Sequence, residues 1–176
     1  MHIRPATADD AARLHELAAA TFALACPPAT TQAAIAEFIA AHLSERSFVG
    51  YLADPSRLLF VGEIDGKPAG YTMIVVGEPT DPDVAAAVAE RPTAELSKCY
   101  ALPFAHGTGL AAALVVAGMD AAKAQGARSL GLGVNNENAR ARRFYEKCGF
   151  EAVGTKKFLV GDRYEDDFVL ELPLAV

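Results

Sequence analysis

Two glycines one residue apart, Gly107 and Gly109, lie in the stretch Leu102 to Leu114 (LPFAHGTGLAAAL), between a strand-like run from Glu95 to Ala101 and a helix-like run from Leu110 to Gln125. A strand that ends in glycines and opens directly into a helix leaves the first N–H groups of that helix without partners. It also turns the positive end of the helix dipole outward. Such a junction is an anion site, and glycine lets a ligand come close to the backbone. The fold must therefore place a strand, a turn and a helix in that order around a cofactor or substrate anion.

Three phosphate-binding patterns compete for this stretch. A P-loop needs a Gly-Lys-Ser/Thr ending, which is absent. A dinucleotide fingerprint can be drawn through Gly107, Gly109 and Ala112, but it belongs to a unit whose second strand ends in Asp or Glu. Here the next strand-like run ends in Val134, Asn135 and Asn136. On the third pattern, Gln/Arg-x-x-Gly-x-Gly/Ala, His106, Gly109 and Ala111 fall on the three defined positions. Further on, Asn138 to Phe150 (NARARRFYEKCGF) follows the pattern Asn-x-x-Ala-x-x-Phe-Tyr-x-x-x-Gly-Phe. On these two segments, in this order, the chain resembles the GNAT superfamily of acetyl-CoA-dependent N-acetyltransferases. His106 departs from the usual Arg or Gln. A histidine there lacks the permanent charge of arginine, so cofactor affinity should weaken with rising pH more than with arginine.

The rest of the chain agrees with one α/β domain spanning residues 1–176. His2 to Ala6 reads as a short strand, and Thr7 to Asp10 as a helix start. A first helix follows to about Ala25, stopped by Pro27 and Pro28, and a second begins near Thr30 or Thr31 with Ile35, Phe38, Ile39 and His42 on one face. Ser44 to Asp54 is ambiguous, with a short helix around Phe48 and Leu52 as one reading. Arg57 to Ile64 and Lys67 to Val76, joined by Asp65-Gly66, form a hairpin. Gly77 to Thr93 reads as a mobile loop with one or two helical turns. From Ala94 the order is strand, glycine loop, helix, strand (Ser129 to Val134), helix (Glu137 to Cys148), then two strands, Phe150 to Val160 and Tyr164 to Leu172. The resemblance implies the GNAT fold: a central mixed, mostly antiparallel twisted sheet flanked by helices, with a parallel strand pair around the cofactor site.

Composition excludes some functions. The 176 residues carry a net charge of -6, which argues against a nucleic-acid partner. Neither a basic leader with an apolar run nor an apolar stretch of spanning length is present, so a cytoplasmic location and no membrane partner are expected. Cys26, Cys99 and Cys148 have no Cys-x-x-Cys spacing and read as reduced thiols, with no metal site expected.

The resemblance also implies roles. Backbone N–H groups of His106, Gly107, Thr108, Gly109, Leu110 and Ala111 would bind the pyrophosphate of acetyl-CoA, and a backbone N–H near Ala101 or Leu102 would hold the thioester oxygen. Tyr145 would protonate the leaving thiolate. Glu95, at a position where several family members carry a glutamate, would serve as general base, with Ser97 and Cys99 on its face in a regular strand. Asn138 would contact the cofactor or cap its helix. Phe22, Phe38 and His42 would wall the acceptor site or belong to the core. Cys99 raises the alternative of an acetyl-enzyme, but Lys98 lies on the opposite face and leaves it without a cation to lower its pKa. The ending FLVGDRYEDDFVLEL resembles the PaiA-type bacterial acetyltransferases, associated with spermidine and spermine, and Glu165, Asp166 and Asp167 could hold a polycation. Other small-molecule amines, protein N-termini and a non-catalytic acyl-CoA-binding module remain open, and the exposed C-terminal strands are compatible with a homodimer.

Overall fold

The structure, a computed structural model, describes residues 1–175. Strand β1 (His2–Pro5) leads through a 3-10 turn at Ala8–Asp10 into helix α1 (Ala11–Ala25). The Asp10 side chain, 1% exposed, locks this corner. It accepts the Thr7 N–H at 2.8 Å, two Arg4 N–H groups at 2.8 and 2.9 Å and one from Arg13 at 2.6 Å. These donors, Arg4 foremost, hold the Asp10 carboxyl well below the usual carboxylate range against the opposing effect of burial. A group shifted downward contributes its stability above the unfolded pKa and loses it as pH falls through the folded one. Asp10→Ala leaves two arginines and a helix start without their acceptor. It should lower unfolding free energy by about 2–4 kcal/mol, measured by urea denaturation at neutral pH.

Helix α2 (Gln32–His42) is capped by Thr31, whose hydroxyl accepts from Ala34 N–H at 3.1 Å. The ambiguous segment is helix α3 (Glu45–Ala53), started in the same way by Ser44. Strands β2 (Arg57–Ile64) and β3 (Lys67–Val76) form the expected hairpin, with positive φ at both Asp65 and Gly66. The following loop carries one short helix, α4 (Pro82–Ala87). Then come β4 (Thr93–Ala101), α5 (Leu110–Ala124), β5 (Ser129–Asn135), α6 (Ala139–Lys147), β6 (Glu151–Val160) and β7 (Arg163–Pro173).

All seven strands join one mixed sheet in the order β1-β2-β3-β4-β5-β7-β6, antiparallel except for β4 and β5. Helices α1–α3 cover one face, where Leu14, Leu17, Phe22 and Phe48 bury against Tyr71 and Met73. Helix α5 covers the other face through Leu110, Leu114 and Val115. Gly118 permits its close approach, since a Cβ there would lie 2.7 Å from Ile74 Cδ1. Among the described residues no helix is long and apolar enough to cross a membrane.

The parallel pair is short. Its register runs Thr93↔Ser129, Ala94↔Leu130 and Glu95↔Gly131 and stops there, while β5 continues alongside β7 to Asn135. Beyond Glu95 the two strands part, and the edge of β4 from Leu96 onward faces an open wedge.

Candidate active site

A cleft of about 770 Å³ fills this wedge. Its lining includes residues of β4, the glycine loop, α6, the C-terminal end of α1, and the β6–β7 pair. Of the residues singled out in the sequence, Glu95, Ala101, His106, Gly107, Gly109, Ala111, Asn138, Tyr145, Phe22 and Phe38 line it. Leu102, Thr108, Leu110 and His42 are not part of that lining.

The loop offers fewer free donors than the sequence suggested. His106 N–H donates to Pro103 O (3.1 Å), Thr108 N–H to Ala105 O (3.3 Å) and Leu110 N–H to the Thr108 hydroxyl (3.3 Å). Among the described residues, the N–H groups of Gly107, Gly109, Ala111 and Ala112 have no acceptor. Gly107 and Gly109 adopt φ of 79° and 90°, a region in which other residues are strained. Four N–H groups at and just before the α5 N-terminus are thus left without acceptors, an arrangement suited to an anion. The Leu110 side chain is fully buried beneath the sheet.

The same accounting applies to β4. Leu102 N–H donates to Ala69 O at 2.8 Å, which removes it from the donors available to a ligand. The pairing of β3 with β4 continues this register through Tyr71↔Tyr100 and Met73↔Lys98. Hydrogen-bonded pairs alternate along an antiparallel ladder, so the N–H groups of Cys99 and Ala101 point away from β3, into the wedge. His106 reaches back to the strand end, its Nε2 donating to Ala101 O at 3.0 Å. That bond fixes Nε2 as a protonated nitrogen and leaves Nδ1 free.

Strand β4 is not regular. Met73 pairs with Lys98 but Ile74 pairs with Leu96, so Ser97 is an extra residue, a β-bulge. The bulge reverses the alternation expected of a regular strand. Cys99 does not share the face of Glu95: it turns to α5, its Sγ lying 4.0 Å from Ala111 O. Lys98 comes onto the face of Glu95 in its place, as their ladder partners Met73 and Val75, both packed on the α1–α3 side, show. Burial pushes the Cys99 thiol up to about 12, a protonated group unsuited to nucleophilic attack. Burial pushes Lys98 down to about 8, Arg57 acting in the same direction and Glu95 against it. Its Nζ lies 5.6 Å from the centre of the Tyr51 ring. The sequence did carry a trace of the bulge: the small or apolar residues Leu96, Cys99 and Ala101 break period two after Leu96.

Helix α6 supplies the opposite wall. Asn138 caps it, its Oδ1 accepting Ala141 N–H at 3.1 Å, while its side chain still borders the cleft. Tyr145 packs against Phe144 (5.1 Å) and edge-on to Phe150 (5.7 Å), with its phenol beside the Cys99 thiol. Burial, with Cys99 and Tyr100 adding to it, pushes the Tyr145 phenol well above its ordinary value. Arg140 and Lys147 reach the cleft, whereas Arg142 pairs with Glu146 at 2.9 Å and lies over the Phe168 ring.

On the α1 side, Phe22 stacks on Phe38 at 4.4 Å and Phe38 meets Phe158 at 5.5 Å. His42 stands behind Phe38, 4.8 Å between ring centres. The β7 acids divide by alternation. Glu165 and Asp167 point inward, 7% and 6% exposed, and Asp166 points outward and pairs with Lys157. Burial pushes Asp167 up to about 6, Glu165 and Asp166 adding to it and Lys156 opposing.

A parted parallel pair, unpaired N–H groups at the start of the following helix and a half-buried tyrosine on the next helix meet at this cleft. Comparison with known proteins says which family shares this arrangement. Residues 14–150 match the model of the "Acetyltransferase (GNAT) family". The chain belongs to the GNAT acetyltransferase family. It is 45% identical over 161 residues to an uncharacterized N-acetyltransferase of Mycobacterium tuberculosis (strain ATCC 25618 / H37Rv), covering 92% of this chain and 96% of that one. A second, from the hisH-hisA intergenic region of Azospirillum brasilense, is 35% identical over 117 residues, 66% of each chain. This acetyltransferase is similar in fold to the PaiA N-acetyltransferase of Thermoplasma acidophilum in complex with coenzyme A (TM-score 0.77, 19% identity, 98% of both chains). It is similar too to the ribosomal-protein-S18-alanine N-acetyltransferase of Escherichia coli (TM-score 0.69, 20% identity, 99% and 94% of the chains).

Proposed function

We propose that this GNAT protein moves an acetyl group from acetyl-CoA directly to the primary amine of a small molecule. The observation that carries the reading is the set of unpaired N–H groups at Gly107, Gly109, Ala111 and Ala112, which fits a pyrophosphate at the mouth of a cleft lined by Tyr145. Acetyl-CoA supplies the activated thioester when bound. The chain's own groups do the rest. The loop N–H groups and the α5 dipole hold the phosphates, with Asn138, Arg140 and Lys147 at the border of the same cleft. Ala101 N–H, with Cys99 N–H beside it, faces the place where an oxyanion would develop, a contact worth about 3 kcal/mol in acyl transfer. Tyr145, protonated across the working pH range, is the proton donor to the departing sulfur.

An amine with pKa near 10 arrives as an ammonium and must lose a proton before attack. Glu95, where β4 and β5 part, and Asp167, across the wedge on β7, are both carboxylates of the cleft wall that could take it. The inward Glu165 and Asp167, beside the rings of Phe22, Phe38 and Phe158, favour a cationic acceptor such as a polyamine. The test is thiol release from acetyl-CoA with a panel of spermidine, single amino acids and a short peptide. Turnover highest with spermidine supports the full reading. Turnover with another amine keeps the enzyme and replaces the acceptor. Coenzyme A binding without turnover on the whole panel replaces it with a binding module.

A further inference from the structure

The carboxylates on the acceptor side differ in what faces them. Glu95 shares its face with the Lys98 ammonium. Arg163 Nε stands 3.3 Å from Glu165 Oε1. Asp166 pairs with Lys157. Asp167 has Lys156 as its strand partner on β6, but among the described residues no cation lies within ion-pair distance of it; its Oδ1, like Glu165 Oε1, is buried with no hydrogen-bond partner, and Glu165 has Arg163 beside it. Asp167 nonetheless borders the cleft. Its strand partner on β5 is Asn135, which places it on the wall across from β4 and Tyr100. A buried carboxylate oxygen without a donor is an unfavourable arrangement, and titratable groups so placed in a cleft cluster at functional sites.

We propose that Asp167 is the group that receives the acceptor amine's proton. This rests on the reading of the cleft as an acetyl-transfer site. The alkylammonium donates a proton to Asp167, giving a neutral amine and a carboxylic acid. The nitrogen lone pair then forms the C–N bond at the thioester carbonyl, whose π electrons move to oxygen, and collapse of that oxyanion breaks the C–S bond with its electrons on sulfur. Tyr145 protonates the sulfur, the second proton lost from nitrogen returns to the Tyr145 phenolate through solvent, and Asp167 releases its proton to solvent. The groups facing Asp167 are Lys156 from β6, Tyr100 from β4, and Glu165 and Asp166 of its own strand. Tyr100, pushed up by burial foremost, remains a protonated neighbour. Because burial raises Asp167 to about 6, its basic form is lost as pH falls through that value, and the rate should fall with it.

The experiment measures kcat and kcat/KM against pH from 5 to 9, with the best amine of the panel, for the parent and for Asp167→Asn, Asp167→Glu and Glu95→Gln. The parent should show an acid limb with midpoint near 6. Asp167→Asn should lose at least about tenfold in kcat and lose the limb, while coenzyme A affinity measured by calorimetry is unchanged. Asp167→Glu should recover part of the rate with a displaced limb, and Glu95→Gln should keep the limb. Turnover by Asp167→Asn within threefold of the parent with the limb intact overturns the proposal and leaves acetyl transfer standing, as does loss of the limb in Glu95→Gln alone. No turnover by the parent with any amine removes both.

Discussion

Tyr145→Phe should lower kcat by about 100-fold while the KM for acetyl-CoA stays within threefold. The ring stays where it is, since its contacts with Phe144 and Phe150 need only carbon, so the change removes a proton donor and little else. The environment explains why this phenol suits the task. Burial raises Tyr145 well above its ordinary value, which on its own would make it a poor acid. The same surroundings push the neighbouring Cys99 thiol up to about 12. A thiolate released at this depth is therefore a far stronger base than one in water, whose conjugate acid has a pKa of about 8.5. Donor and acceptor are pushed in the same direction by the same surroundings. A test separates this from a packing role. Acetyl thioesters of more acidic thiols need less protonation on departure, so the deficit of Tyr145→Phe should shrink across a series of falling thiol pKa. A constant deficit across the series would assign Tyr145 to packing.

Much of this architecture was legible in the residues. Asp65-Gly66 dictated a hairpin because both positions take positive φ, and Gly126, at φ 86°, ends α5 where the helical pattern stops. Ser44 to Asp54 was ambiguous because Phe48 and Leu52 fit a helix or a strand over so short a run. The Ser44 cap, seen only with the backbone in place, decides it. The cleft was less legible than the sheet. Glycine spacing located the donor cradle but could not say which N–H groups local turns consume, and those of His106, Thr108 and Leu110 are consumed. The bulge at Ser97 is a property of two strands in register, not of one, so the meeting of Glu95 and Lys98 on one face was out of reach of alternation along β4. On β7, alternation held, and it separates inward Glu165 and Asp167 from outward Asp166. The cleft they face is walled by the end of α1 and by β4, far away in the chain.

The cradle yields the second large effect. Gly109→Val should weaken coenzyme A binding by about 100-fold, or about 2.7 kcal/mol, with a smaller loss of fold stability. Two physical causes add. At φ 90° a β-branched residue is strained by about 1–3 kcal/mol, and relief of that strain would rotate the Gly109 N–H away from its neighbours. A side chain at this position also has no protein atom within 4 Å of its Cβ, so nothing in the fold excludes it, and it would project into the space over the α5 N-terminus. The anion would lose one or two charge-assisted hydrogen bonds of about 1.5–3 kcal/mol each. Gly126→Val is the control, because that residue has a comparable positive φ and open surroundings but lies at the far end of α5. It should lose similar stability while its coenzyme A affinity, measured by calorimetry, stays unchanged. Dephospho-coenzyme A and pantetheine extend the test: removing the 3'-phosphate should leave the Gly109→Val deficit intact, whereas pantetheine, which lacks the pyrophosphate, should bind both proteins alike. Equal weakening for all three ligands would mean that the loop shapes the pantetheine channel and that the anion is held elsewhere.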